Sequence, residues 1–169
     1  MISRITFRHD LRHVDNRGSF ARLVDTEWGF PLTAQISLST NTQAGTLRGM
    51  HAMVRSAEEY KAVTCLSGHM LDVVVDLRPE SEDYLKVKYF ELTADNPGTV
   101  LIPPGCVHGF ITLADNTHVL YSMSIPFSSS LEVGFRWDDP LLGIKWPSSP
   151  AVISPKDAEF PRSISKPQL

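Results

Sequence analysis

The sequence has no long uninterrupted apolar segment and no run of basic residues. The apolar stretch 71–77 is interrupted by Asp72 and Asp76, so it is too short and too polar to span a bilayer. Residues 1–13 carry charges where a signal peptide has an apolar core. The net charge is -3, and without clustered Lys and Arg the usual electrostatic basis for nucleic-acid binding is missing. We therefore expect a cytoplasmic protein that binds neither membranes nor nucleic acid.

Cysteine is also scarce, with Cys65 and Cys106 the two cysteines of the 169-residue chain. They do not have the paired spacing of a zinc or redox motif. Each is expected to be a small buried apolar residue rather than a ligand, and no disulfide is expected. A chain of this length can bury its apolar residues around a single core, so 1–169 is predicted to be one domain.

The sequence does show a strong alternation with a period of two. In 71–77 the leucines and two of the valines point to one side, while Asp72, Val74 and Asp76 point to the other, which predicts a strand. Similar runs, rich in β-branched and aromatic residues, occur at 34–39, 46–52, 60–66, 87–92, 109–113 and 118–123. Turn residues such as Ser67-Gly68 and Pro103-Pro104-Gly105 separate them.

Helical patterns are nearly absent. The best candidates are short pieces near 25–28 and after Lys156. Many short strands without alternating helices favour an antiparallel all-β architecture, either a jelly roll or a small barrel, and we predict a double-sheet, cupin-like jelly roll. The proline-rich tail from Trp137 onward predicts a short, mostly irregular C-terminal segment that lies over the sheet.

Several polar side chains lie on or beside the predicted strands and form a candidate site: Arg48, His51, Lys61, His108 and Tyr121. Inward-facing side chains of neighbouring strands meet in one cavity, so these groups could surround a ligand. Each also has an ordinary structural explanation: a satisfied core or surface histidine, a solvated lysine, a core tyrosine, or an arginine paired with a surface carboxylate.

The segment Pro103-Pro104-Gly105-Cys106-Val107-His108 is similar to the second motif of metal-binding cupins. The first motif, His-x-His with a following Glu, is incomplete here, because Met53 stands two places after His51 and is a poor ligand for hard or borderline metals. Glu58 and Glu59 remain as possible ligands. We expect no metal.

A series of motifs in the same order resembles the dTDP-4-dehydrorhamnose 3,5-epimerase family over nearly the whole chain. The segments are Asp15-Asn16-Arg17-Gly18-Ser19-Phe20, Thr46-Leu47-Arg48-Gly49-Met50-His51, Asp72-Val73-Val74-Val75-Asp76-Leu77-Arg78, Ile102-Pro103-Pro104-Gly105-Cys106-Val107-His108-Gly109-Phe110, Trp137-Asp138-Asp139-Pro140, Ile144-Lys145-Trp146-Pro147 and Ser154-Pro155-Lys156-Asp157. One such motif is weak evidence, whereas this many in order is specific.

The resemblance implies a jelly-roll homodimer that epimerises a nucleotide-diphosphate 4-keto sugar without a cofactor, in deoxysugar and polysaccharide or lipopolysaccharide biosynthesis. By this resemblance His51 matches the catalytic base, Asp157 the carboxylate that orients it, Lys61 the cation near the sugar O4 and Tyr121 the acid on the opposite face. The implied substrate-binding residues are His108 and Asp72 in the same pocket, Arg48 at the diphosphate, and Arg17, Phe20 and Gln35 at the nucleotide, with Arg17 and Phe20 reaching across the dimer.

The chemistry of a 4-keto sugar accounts for this set of residues. The ketone acidifies the protons on C3 and C5, because the carbanion delocalises onto O4. A neutral imidazole with a pKa of about 6.5 can accept such a proton, and a carboxylate on its other nitrogen fixes the tautomer. General-base catalysis contributes on the order of 10² to 10⁴-fold, so a charge at O4 must contribute as well, and Lys61 is the candidate. Inversion needs a proton from the other face, for which Tyr121 is the candidate.

Several positions depart from the usual pattern of the family at the nucleotide end of the site. Arg22 replaces a glutamate, Ser37 an asparagine, Ala52-Met53 an aromatic-Gln pair, and Pro126-Phe127 the aromatic positions after Tyr121. Such changes alter the charges and amide groups that read a base. The hypothesis is a related sugar on a different carrier, such as CDP or GDP, or inversion at one carbon.

Three alternatives remain at this stage. An isomerase of the same fold could move the keto group from C4 to C3 through the same enolate. A non-catalytic sugar-binding cupin could keep the pocket without turnover, although it would not need the set His51, Lys61, Tyr121 and Asp157. A metal-dependent cupin oxygenase is the third alternative, and metal analysis of the purified protein discriminates it.

Overall fold

The computed structural model describes residues 1–9, 12–95, 97–163 and 169, and strands dominate this part of the chain. The strands are β1 Thr6–His9, β2 Arg12–Asp15, β3 Gly18–Ala21, β4 Gln35–Asn41, β5 Thr46–Met53, β6 Lys61–Ser67, β7 His69–Asp76, β8 Val87–Thr93, β9 Gly98–Ile102, β10 Cys106–Thr112, β11 Thr117–Met123, β12 Glu132–Gly134 and β13 Val152–Ile153. Two 3₁₀ turns span Thr26–Trp28 and Arg55–Ala57, and the α-helix α1 spans Pro155–Ala158.

The strands form two facing sheets and a separate hairpin. One sheet has the order β1-β9-β6-β11-β4, and the other has the order β12-β5-β10-β7-β8 with β13 added beside β5. Every strand pair of the described residues is antiparallel except β13 with β5. The predicted double-sheet jelly roll is thus confirmed. The hairpin of β2 and β3 pairs with neither main sheet.

The space between the two sheets is filled by the main apolar core, which the alternating side chains supply. It consists of Ile5, Val63, Cys65, Met70, Val74, Leu92, Val100, Ile102, Cys106, Phe110 and Val119. Both cysteines are free thiols within this core, and burial raises the pKa of Cys65 to about 11 and that of Cys106 to about 12. They are buried apolar residues, as predicted.

A second apolar cluster lies on the outer face of the β5-β10-β7 sheet. Val73, Val75 and Val107 project there and pack against Leu142, with Ile144 and Trp146 partly buried on the same cluster. The C-terminal segment therefore covers this face, as its prolines predicted. Because both faces of β10 are covered, all seven of its residues are buried. Its first three residues therefore lack the alternation of polar and apolar side chains that predicts a strand.

Candidate active site

A cavity of about 240 Å³ opens between the two sheets. It is lined by Gln35, Ser37, Arg48, His51, Ala52, Met53, Glu59, Lys61, His108, Tyr121, Met123, Phe127 and Glu132. His51 and His108 come from the sheet of β5 and β10, whereas Lys61 and Tyr121 come from the facing sheet of β6 and β11. The structure thus brings together the five polar residues that the sequence analysis singled out.

A bulge in β5 lets Arg48 and His51 face the same cavity. Three positions separate them, so a regular strand would point them to opposite faces of the sheet. His51 on β5 pairs with His108 on β10, and Arg48 on β5 pairs with Phe110 on β10. The paired residues are three positions apart along β5 but only two positions apart along β10, so β5 contains one extra residue. The extra residue of a bulge reverses the alternation. Gly49 allows β5 to approach β10 closely at the bulge, because a Cβ at this position would lie 2.6 Å from the Cα of Gly109.

His51 is paired with a buried carboxylate from the C-terminal segment. Its Nε2 lies 2.9 Å from Oδ1 of Asp157, while the backbone N–H of Gly49 donates to Oδ2 of Asp157 at 3.1 Å. Burial alone would raise the pKa of Asp157, but the hydrogen bond and charge of His51, with the N–H of Gly49, lower it. An ionised carboxylate only accepts hydrogen bonds, so Nε2 carries the proton and Nδ1 keeps its lone pair.

Local structure explains how a residue so distant in sequence reaches His51. β13 pairs in parallel with the start of β5, where Val152 and Ile153 lie beside Thr46 and Leu47. The helix α1 begins immediately afterwards, with Ser154 as the N-cap and Pro155 at its first position, both favourable at a helix start. The hydroxyl of Ser154 accepts from the N–H of Asp157. Pairing and capping together place the Asp157 carboxylate beside His51.

A second histidine–carboxylate pair lies on the neighbouring strands. Nε2 of His108 lies 2.5 Å from Oδ1 of Asp72, and Asp72 is fully buried. Asp72 does not line the cavity itself, but it contacts His108, which does. Its Oδ2 has no hydrogen-bond partner among the described residues. The pair places the imidazole of His108 in the cavity lining, with the carboxylate of Asp72 buried behind it.

Lys61 is held by a carboxylate that the sequence analysis considered only as a possible metal ligand. Nζ of Lys61 lies 3.3 Å from Oε2 of Glu59, with side-chain exposures of 15% and 8%. Both groups line the cavity. Because both side chains are largely shielded from water, removal of either one would leave the other charge without its partner. No sequence pattern marked Glu59, because the turn before β6 has no regular period.

Tyr121 projects from β11 into the cavity near His108, with ring centroids 6.3 Å apart. Burial raises the pKa of the Tyr121 hydroxyl well above its ordinary value, and the negative charge of Asp72 raises it further. The hydroxyl is therefore a neutral phenol across the physiological range and holds a proton that it can donate. This protonation state is the one required of an acid.

Arg48 and Gln35 both line the cavity, one from each of the two facing sheets. Oδ1 of the buried Asn41 accepts from Nε of Arg48 at 2.8 Å. The side chain of Gln35 donates to Ser37 and accepts from the backbone N–H of Phe127, at 3.0 and 2.8 Å. Gln35 thus holds the segment that carries Phe127 at the cavity. Asn41 was missed, because the predicted strand ended at Ser39 and the contact with Arg48 joins two different strands.

Arg17 and Phe20 lie outside this cavity, on the separate β2–β3 hairpin. Phe20 is 68% exposed, and the guanidinium of Arg17 pairs with Asp15 at 2.6 Å. Arg22 pairs with Asp25 at 3.1 Å. Within a single chain the hairpin is not part of the site.

Two further observations concern metal binding and membranes. Within the described residues, no three His, Cys, Asp or Glu side chains are grouped so that they could hold a metal ion. The carboxylate of Glu59 is directed to Lys61 rather than to the two histidines. Among the helices in the described ranges, none is long and apolar enough to cross a membrane.

Comparison with known sequences agrees with this geometry. A family model described as dTDP-4-dehydrorhamnose 3,5-epimerase matches residues 2–163. A dTDP-4-dehydrorhamnose 3,5-epimerase of Sinorhizobium fredii is 35% identical over 153 residues, which cover 87% of this chain and 78% of that protein. The enzyme of the same name from Mycobacterium tuberculosis is 34% identical over 158 residues, covering 88% and 78%.

Solved structures show the same relationship. The crystal structure of a dTDP-4-dehydrorhamnose 3,5-epimerase from Bacillus anthracis with TDP and PPi bound superposes with a TM-score of 0.88 at 31% identity, covering 94% of each chain. A 3'-monoepimerase from Streptomyces bikiniensis in complex with dTDP-quinovose has a TM-score of 0.85 at 26% identity, covering 94% of this chain and 83% of that one. This chain belongs to the dTDP-4-dehydrorhamnose 3,5-epimerase family.

Proposed function

We propose that this protein is an epimerase of a nucleotide-diphosphate 4-keto-6-deoxy sugar, which inverts C3, C5 or both by proton removal and return. The observation that carries the proposal is the distribution of groups over two facing sheets. The His51–Asp157 pair lies on one sheet, and Lys61 and Tyr121 lie on the other. A sugar ring bound between the sheets has a base on one face and a proton donor on the other.

In this mechanism Nδ1 of His51 removes the proton from the carbon next to the ketone. The electron pair of the C–H bond moves into an enolate, and the charge on the imidazolium is balanced by Asp157, whose lowered pKa keeps it ionised. The negative charge that develops on O4 is stabilised by Lys61. Preorganised charge of this kind contributes about 3 to 4 kcal/mol for a single donor in other enzymes.

Tyr121 completes the inversion by giving its proton to the enolate carbon from the other face. Its position on the sheet opposite His51 supports this role, because a phenol there is protonated before the reaction and lies on the other side of the cavity. The His108–Asp72 pair beside it supports a role for His108 in binding the sugar. The ketoisomerase alternative shares the enolate, but the Tyr121 donor on the opposite sheet favours inversion.

At the carrier end, the position of Arg48 in the cavity lining supports a role in diphosphate binding, since a guanidinium binds phosphate oxygens in a bidentate way. Phe127 is 52% exposed at the same edge and offers a flat apolar surface to a base. The related structures with TDP or dTDP-quinovose bound support a dTDP carrier. The changes at Arg22 and Ser37 motivate the alternative of a CDP or GDP carrier.

We also infer a homodimer in the cytoplasm, where nucleotide sugars are used for polysaccharide synthesis. Two observations support the dimer. The edge strand β4 exposes Ile36 and Leu38, which are 65% and 58% accessible, next to Leu32 at 81%. The β2–β3 hairpin extends from the body of the chain and presents Phe20, also exposed. Sedimentation of the purified protein tests this inference, and a monomer at micromolar concentration would contradict it.

The proposal is tested by proton exchange in D₂O, followed by NMR, with 4-keto-6-deoxy sugars on dTDP, CDP and GDP. Wild type is expected to exchange C3 or C5 protons of the sugar on one carrier, and His51→Ala is expected to show no exchange. Exchange at both carbons indicates a 3,5-epimerase. His118→Ala is the matched control, because His118 is not among the residues lining the cavity. Absence of exchange with every carrier would overturn the epimerase proposal in favour of a binding protein.

A further inference from the structure

Phe160 packs against the imidazole of His51 from outside the cavity. The two rings are in an edge-to-face arrangement, with centroids 5.7 Å apart and an interplanar angle of 79°. Phe160 is half-buried and does not line the cavity. It follows Asp157 by three positions, directly after α1. The same short segment therefore delivers two groups to the base, a carboxylate and an aromatic ring.

The Phe160 ring also packs against a glycine of β12, Gly134. Gly134 of β12 is the direct cross-strand partner of His51 on β5. A Cβ at Gly134 would lie 2.0 Å from Cε1 and 2.1 Å from Cζ of Phe160, far inside contact distance. The ring therefore occupies space that any other residue at 134 would fill. Gly134, Phe160 and His51 form one packed unit.

An ion pair fastens the helix to the same strand. Nζ of Lys156 lies 2.5 Å from Oε2 of Glu132, two residues before Gly134 on β12. The same ammonium lies 5.8 Å from the centroid of the Phe160 ring, within the range of a cation–π contact. Lys156 thus connects α1 to β12 and lies over the ring. These contacts hold Phe160 between β12 and His51.

We propose that Phe160, seated on Gly134, is a positioning residue for the base of the proposed epimerase, so this inference rests on the proposed function. The bond to Asp157 restrains His51 at one nitrogen, but a single hydrogen bond allows the ring to rotate. Packing of Phe160 on the ring removes this freedom and excludes water from that side of the pair. The result is an Nδ1 lone pair held toward the cavity.

The test compares Phe160→Ala, Gly134→Ala and the double variant by steady-state kinetics and by C3 and C5 exchange with the carrier that wild type accepts. Edge-to-face pairs contribute about 0.5–1.5 kcal/mol, so Phe160→Ala is expected to lower kcat roughly two- to tenfold, with KM within about twofold of wild type. Gly134→Ala displaces the ring and is expected to lower kcat at least as far. In the Phe160→Ala background the same change has room, so the double variant is expected to match Phe160→Ala within about twofold.

Phe7→Ala is the matched control, because Phe7 is also half-buried and also covers a glycine, Gly98, where a Cβ would lie 2.1 Å from Cζ of Phe7, but it does not line the cavity. If Phe160 acts by positioning His51, Phe7→Ala keeps kcat near the wild-type value even where it lowers the melting temperature. An equal loss of kcat in Phe7→Ala, an unchanged kcat in Phe160→Ala, or additive losses in the double variant would each overturn the inference. If Gly134→Ala does not fold, recovery of soluble, active protein in the double variant supports the same packing unit. Absence of exchange in wild type would instead contradict the proposed function.

Discussion

Asp157→Asn is the most informative single substitution, because the structure determines how the new amide must lie. The buried N–H of Gly49 donates to Oδ2 of Asp157, so this position has to be occupied by the amide oxygen. The NH₂ group then lies at the Oδ1 position, 2.9 Å from Nε2 of His51. An NH₂ group donates, so Nε2 must accept and the imidazole proton moves to Nδ1. The nitrogen that is the base in the proposed mechanism then carries a proton and can no longer accept one.

The expected loss of activity follows from two terms. Restoring the productive tautomer requires turning the amide, which leaves the Gly49 N–H buried without an acceptor, at about 1–3 kcal/mol. The imidazolium formed in the reaction also loses a charged hydrogen bond, of about 1.5–3 kcal/mol. Since 1.36 kcal/mol corresponds to a factor of ten, the sum predicts a fall in kcat on the order of 10² to 10⁴-fold. KM is expected to change little, because Asp157 does not line the cavity.

The assay is the initial rate of C3 and C5 deuterium exchange, with circular dichroism and thermal melting to establish folding. Asp83→Asn is the control, because Asp83 is ionised, with a pKa lowered to about 2 by hydrogen bonds from Lys88 and Lys86, and lies outside the site. The control is expected to retain wild-type exchange. A folded Asp157→Asn variant with more than about a tenth of wild-type exchange would refute the tautomer argument, because that loss is less than the smallest predicted effect.

Three further predictions follow from other contacts. Tyr121→Phe is expected to impair completed inversion more than exchange of the substrate proton, and equal losses in NMR assays of both would contradict its role as acid. Lys61→Met is expected to reduce proton exchange at least about 10²-fold. It should also lower the melting temperature, because Glu59 loses its cation. The double variant Lys61→Met with Glu59→Gln should recover the melting temperature but not the exchange. Burial alone would raise the pKa of Asp76, but hydrogen bonds from Arg78 and Ser81 lower it, so its stabilisation is complete above the ordinary value of 3.8 and is lost as pH falls through the folded-state pKa. Asp76→Asn should therefore lower the free energy of unfolding by about 3 kcal/mol at pH 7, and this difference should decrease as the pH is lowered below 3.8, measured by urea titration.

Much of the fold followed from the sequence, because alternation identifies strands that have one polar and one apolar side. The prediction at 34–39 corresponds to β4 Gln35–Asn41, and the prediction at 118–123 corresponds to β11 Thr117–Met123. β9 Gly98–Ile102 was missed, since all five of its residues are buried and it shows no alternation. β10 was predicted at 109–113 but begins at Cys106, because its first three residues are also buried and show no alternation. Burial on both faces is a property of the assembled sheets, and a strand in that environment carries no local pattern.

The candidate site shows a similar division. His51, Lys61, His108 and Tyr121 were found from their residue types on predicted strands, and Asp157 from the family resemblance. Glu59 and Asn41 were not assigned, because their importance depends on contacts with Lys61 and Arg48. The contribution of Phe160 depends on the space at Gly134. Such contacts depend on distances between segments far apart in sequence.

The sequence by itself determined the strand content, the antiparallel class and the chemical groups available for proton transfer, because periodicity and residue type are local properties. The tertiary structure decided which of these groups meet. The bulge in β5 turns Arg48 and His51 to the same side, and the pairing of β13 with β5 brings Asp157 to His51. Register and chain crossing result from the packing of the whole chain, so no local pattern could specify them.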